Sequence, residues 1–149
     1  MTLLFLNGGG MRGGPLHHQL QGAALVRVAR SAARYRYYSV GDRFPAMREV
    51  PAGGRSVLGE VYDVPLSTLR DHLLSAEPPE LELGVIELDD GTACLATVLR
   101  QEFTGATGLV DISDLGDWCA YQASGAGRTS GAGRAGVTGT VSQPGRPDG

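Results

Sequence analysis

Residues 3–20, LLFLNGGGMRGGPLHHQL, organise the chain. Leu3 to Leu6 form a short apolar run that reads as a strand. It empties into Asn7, Gly8, Gly9 and Gly10, then Met11, Arg12, two further glycines, Pro15 and the pair His17-His18. Glycine tolerates backbone conformations closed to other residues. Such a loop can turn several N–H groups toward one spot and hold an anion there. Asn7 to Gly10 are therefore read as a carboxylate nest. Arg12 supplies a planar fork that matches a carboxylate. His18 is of a residue type that both donates and accepts protons and suits proton transfer.

Outward from this stretch, the pattern is mixed. Leu25 to Arg36 alternates weakly and predicts a strand pair bent near Ser31. Residues 57–64, VLGEVYDV, carry apolar side chains on both faces and predict a strand covered on both sides. Gly59 within it predicts a close backbone approach or a bulge. Residues 65–74 predict the best helix, striped by Leu66, Leu69, Leu73 and Leu74, capped by Asp63 or Ser67 and ended by Pro78-Pro79. Residues 81–99 read as a hairpin turning at Asp89-Asp90-Gly91, with Cys94 as a packed core thiol. Ile112, Leu115, Trp118 and Tyr121 recur at three-residue spacing and predict a short helix or helical turns lying on the sheet over residues 109–121. Beyond that, SGAGR occurs twice and apolar periodicity ends. A disordered Gly/Ala/Ser-rich tail is expected over residues 122–149 after one folded domain over 1–121.

Composition narrows the class. The 149 residues carry a net charge of −3 and no lysine, which argues against nucleic acid as a partner. Without lysine the glycine loop is no phosphate-binding motif for nucleotides. The first strand starts almost at Met1, so no targeting segment is expected, and no run is long enough for a membrane span. A cytoplasmic location follows as the default. The two cysteines lack ligand spacing and the adjacent histidines diverge, so neither a metal nor a cofactor is expected.

Strand, glycine loop and Gly59-Glu60-Val61-Tyr62 together resemble the gamma-glutamyl cyclotransferase-like fold. Within it, the chain most resembles the C-terminal domain of allophanate hydrolase. Residues 14–20 (GPLHHQL), Tyr35-Arg36-Tyr37-Tyr38, residues 83–91 (LGVIELDDG) and residues 111–121 carry that likeness. The resemblance implies an α+β fold, a small mixed β-barrel with short packed helices.

It further implies a small-molecule enzyme acting on a carboxylated urea-like or amide compound by acid/base chemistry. His18 matches the histidine of the Pro-Leu-x-His-Gln-Leu pattern. Glu77 matches the cyclotransferase glutamate, through Leu73-Leu74-Ser75-Ala76-Glu77. Strand alternation separately favours Glu82 as the pocket carboxylate, with Tyr38 and Tyr62 as pocket walls. Two alternatives stand beside this reading. One is a cyclotransferase releasing 5-oxoproline, and the other is a non-catalytic carboxylate-binding domain. A homodimer or a separate amidase is the expected protein partner.

Overall fold

The computed structural model describes residues 2–125. Strand β1 (Leu3–Leu6) lies in the middle of a five-stranded sheet with β2 (Ala24–Arg30), β5 (Leu58–Asp63), β6 (Leu81–Glu87) and β7 (Ala93–Leu99). The order is β2-β5-β1-β7-β6. β1 runs antiparallel to β5, with Phe5 opposite Val61, and parallel to β7. A smaller sheet has β3 (Tyr35–Val40) at its centre, between β4 (Phe44–Glu49) and β8 (Leu109–Asp111).

The unbroken LLFL run follows from this placement, because both faces of β1 are covered. Phe5 points into a core shared by the two sheets, with Tyr37, Met47, Val61, Ile112 and Trp118. Leu4 and Leu6 point the other way, into a core with Leu20, Tyr62, Leu69 and Leu73. Each such side chain contributes roughly 1.5–3 kcal/mol of burial free energy. The second core is roofed by the 3-10 turn His17–Leu20 and by residues 66–76, where a π-helical turn, Leu69–Leu73, lies between α1 (Leu66–Thr68) and α2 (Leu74–Ala76). β5 is covered on both sides as its sequence predicts. A Cβ on Gly59 would lie 2.6 Å from the Phe5 ring and would strike the Leu6 carbonyl, so glycine is required there for close approach.

Three expectations are corrected. The gamma-glutamyl cyclotransferase-like β-barrel does not form, because no sheet closes. Closure would need a ladder between the outer strands β2 and β6. Just past the ends of β2 and β6 the chain instead makes an isolated bridge, Ser31 to Leu88, then bends away into the second sheet. What remains is an α+β arrangement of two mixed-length sheets with short helices.

The helix or helical turns expected over residues 109–121 begin instead as a strand and are helical only at the end. Leu109–Asp111 pairs with β3, and only Trp118–Ala123 (α3) is helical. Gly116, at φ +59°, separates them, and its carbonyl accepts the Leu58 N–H at 2.8 Å. The three-residue spacing therefore runs from the end of β8 through a turn into a helix. Finally, the helical segment is entered from Pro65 with no side-chain cap, and Asp63 accepts the Thr2 N–H instead.

Of the tail expected over residues 122–149, only 122–125 are described, and α3 runs through Ala123. The rest lies outside the described residues. Among the described residues, no helix is long and apolar enough to cross a membrane.

Candidate functional site

The glycine loop is a folded structure held at both ends. At its start, Asn7 is buried, and the Tyr37 hydroxyl donates to its carbonyl at 2.8 Å and its Oδ1 at 3.1 Å. Inside the loop, Gly8 accepts the Met11 N–H at 3.0 Å, Met11 accepts that of Gly14 at 2.9 Å, and Gly9 accepts that of Leu16 at 2.8 Å. Gly14 passes so close to the Gly9 carbonyl that any Cβ there would collide with it. At its end, His17 Nδ1 lies 3.0 Å from the Gly10 carbonyl. A carbonyl only accepts, so this nitrogen carries the proton. The His17 ring also packs at a tilt against Tyr62, 5.7 Å between centroids.

Glu60 makes the strongest tie. It projects from β5, nearly buried, toward the loop. Its Oε1 accepts the Arg12 backbone N–H at 3.0 Å and the Tyr62 hydroxyl at 2.7 Å, while Oε2 accepts Arg12 Nε at 2.9 Å. Burial by itself would raise this carboxyl. The bonds from Tyr62 and Arg12 outweigh it and hold Glu60 below the usual carboxylate range. Burial first, and then the donated bond, raise Tyr62, so its phenol keeps its proton.

The N–H groups of Gly8, Gly9 and Gly10 have no protein acceptor among the described residues. All three line a cavity of about 400 Å³. Its other walls include Arg12, Arg43, Phe44, Glu77, Thr97 and Trp118. Glu77 sits just past α2, where Pro78 enforces extended backbone and ends the helix. No hydrogen bond or ion pair meets its carboxyl among the described residues. Burial pushes it from the ordinary 4.5 up to about 7. Cys119 also lines the cavity; although it is exposed, desolvation and the nearby Asp117 and Glu60 charges raise its thiol.

The structure thus brings Asn7, Gly8, Gly9, Gly10, Arg12 and Glu77 together at one cavity. The other residues singled out from sequence lie outside its lining. His18 is exposed on the 3-10 turn, and the loop-tying role falls to its neighbour His17. Glu82 faces Arg100 at 3.4 Å. Tyr62 is buried behind Glu60. Tyr38 packs beside Val40 and Leu81. Sequence reading passed over Glu60 and Arg43. Sequence shows only that Glu60 is a charged residue two positions from Tyr62 in a largely apolar strand, which calls for a partner without saying which. Among the described residues, no group of three or more His, Cys, Asp or Glu side chains is placed to hold a metal ion.

Known proteins are similar to this chain in sequence and fold. The family described as the allophanate hydrolase C-terminal domain matches residues 2–123. Urea amidolyase of Saccharomyces cerevisiae is 27% identical over 121 residues, covering 76% of this chain and 6% of that protein. The chain therefore spans about 6% of the length of this curated relative. The crystal structure of a uropathogenic E. coli-specific protein is 38% identical with a TM-score of 0.76, covering 82% of this chain and 95% of that one. Kluyveromyces lactis allophanate hydrolase is 28% identical with a TM-score of 0.74, covering 80% of this chain and 21% of that one. With the family match running from β1 through α3, the chain belongs to the allophanate hydrolase C-terminal domain family.

Proposed function

We propose that the cavity binds a small carboxylated urea-like or amide compound and acts on it by acid/base chemistry. In this reading the ligand carboxylate lies on the Gly8, Gly9 and Gly10 amides, and Glu77 moves the proton. One observation carries it: Gly8, Gly9 and Gly10, whose N–H groups have no acceptor among the described residues, line the same cavity as Glu77, whose carboxyl has no partner there and is raised to about 7. Preorganised N–H donors favour an anion without reorganisation. A carboxyl near pH 7 can both give and take a proton under ordinary conditions. In its protonated form it does not repel the bound carboxylate.

The family resemblance assigns a second proton-transfer role to His18, which stands exposed on the turn leaving the loop. Glu77 also occupies the position of the cyclotransferase glutamate, which supports the alternative reaction. There the same carboxyl takes a proton from an attacking α-amine while a γ-glutamyl amide closes to 5-oxoproline and releases its amine. A separate amidase supplying the carboxylated compound, or a second copy of the chain, is the protein partner this reading expects.

The test is turnover. The purified protein is offered carboxylated urea-like compounds and γ-glutamyl amides, and products are read by mass spectrometry. Turnover of the first class, lost in Glu77→Gln, supports the main reading, and release of 5-oxoproline supports the alternative. Loss in His18→Asn but not in Glu77→Gln moves the proton to His18. No turnover of either class, with carboxylate binding retained, leaves a binding domain.

A further inference from the structure

Two arginines line the cavity, and the protein treats them differently. Arg12 is tied to Glu60 through both its backbone N–H and its Nε. Arg43 stands where the chain enters β4, and Arg43, Phe44 and Pro45 all line the cavity. Pro45 abuts the cradle itself, since a Cβ on Gly8 would come within 2.6 Å of its ring. Arg43 is thus two residues from the surface against which the candidate carboxylate nest is packed.

Its guanidinium is oriented but not saturated. Nη2 donates to Glu80 Oε2 at 3.1 Å, and the group lies 4.9 Å over the Phe44 ring. The remaining N–H donors have no protein acceptor among the described residues. The partners differ in exposure, 61% for the Arg43 side chain and 19% for Glu80. Glu80 is therefore the anchored end and Arg43 the end open to a ligand. A pair of this kind fixes the direction of a flexible cation at small cost and leaves a planar donor face available.

We propose that Arg43 determines specificity at this site by taking a second oxygen-bearing acidic group of a ligand whose first carboxylate lies on the Gly8, Gly9 and Gly10 amides, with Glu80 as its positioning residue. The inference rests on the carboxylate reading above. It adds that the site discriminates between one acidic group and two.

The experiment compares acetate with malonate, titrated into the folded protein while the backbone amide signals of Gly8, Gly9 and Gly10 are followed by NMR. Wild type is expected to bind malonate about tenfold more tightly than acetate, the size of effect that a charge-assisted bond supplies. In Arg43→Gln the preference falls to about twofold or less, while acetate affinity changes little. Glu80→Gln lowers the preference in part. Arg55→Gln, which removes an exposed cation outside the cavity, keeps it and controls for net charge. Acetate binding without a malonate preference, or a preference that survives in Arg43→Gln, overturns the role of Arg43 and leaves the carboxylate nest standing. Failure of both ligands to move the loop amides overturns the nest and Arg43 together.

Discussion

Glu60 grips Arg12 at two points, its backbone N–H at 3.0 Å and its Nε at 2.9 Å, and so fixes the middle of the glycine loop to strand β5. The sequence suggests Arg12 as a clamp for a ligand carboxylate; in the structure the carboxylate it meets is the protein's own Glu60. Replacing Glu60 by Ala leaves the Arg12 N–H and the Tyr62 hydroxyl without their acceptor. The expected cost is about 2 kcal/mol at pH 7, measured by urea unfolding. Because the folded-state pKa of Glu60 lies below its unfolded value, its contribution is present above the unfolded pKa and is lost as pH falls through the folded one. The difference between wild type and Glu60→Ala should therefore shrink as the solution is acidified. A difference constant from pH 7 to pH 3 would contradict this account of the clamp.

Glu77 has the opposite sign. Burial raises it from 4.5 to about 7, so the folded state binds its proton more tightly than the unfolded chain. Its favourable contribution is complete below about 4.5 and is lost as pH rises through about 7. Above that, an unpaired charge is held in a poorly solvated wall. Glu77→Gln should stabilise the protein at pH 8 by on the order of 2 kcal/mol, with much less gain at pH 4. Thermal unfolding at the two pH values checks this. Equal effects at both would show that the carboxyl is not desolvated.

His17 ties the loop through the Gly10 carbonyl and packs on Tyr62, whereas His18 makes no side-chain hydrogen bond among the described residues. His17→Ala should cost about 1 kcal/mol and speed amide exchange across residues 8–16. His18→Ala should leave both unchanged. The reverse ranking, read by hydrogen exchange, would show that the wrong histidine has been assigned to the loop.

Gly14 faces the Gly9 carbonyl at a separation no side chain can share. Gly14→Ala must push these two strands of the loop apart. Carboxylate binding at the Gly8, Gly9 and Gly10 amides should weaken at least about tenfold, a loss of about 1.4 kcal/mol. Ligand titration checks this, with a retained fold established by circular dichroism. Unchanged affinity would mean that the loop's shape is not what binds.

The sequence shows the parts of this molecule that depend on local pattern. Leu3–Leu6, the covered strand with Gly59 and the Asp89-Asp90-Gly91 hairpin are legible because period-2 alternation and turn chemistry act over a few residues. Residues 109–121 were misleading because the spacing of Ile112, Trp118 and Tyr121 is helical, although Ile112 follows β8 and only Trp118 and Tyr121 belong to α3. The missing barrel closure depends on how β2 and β6 approach each other around Ser31, a relation between distant segments that no local pattern encodes. The glycine loop was legible as a candidate anion site. The choice among Glu77, Glu80 and Glu82 was not. Strand alternation favours Glu82, but which face of that strand meets the cavity is decided by packing, and Arg100 takes Glu82 instead. Glu60 was hidden because a buried charge in a strand makes sense only once its partner, across a loop 48 residues away, is in place.

The most direct measurement is one acetate titration at pH 6 that follows both the backbone amides of Gly8, Gly9 and Gly10 and the side-chain carboxyl carbon of Glu77 by NMR. If the loop and the glutamate form one ligand site, both sets of signals move with the same dissociation constant, and the Glu77 pKa rises further when the anion is bound. Amides that stay still, or a Glu77 carboxyl that titrates near its ordinary value and ignores acetate, would contradict the account.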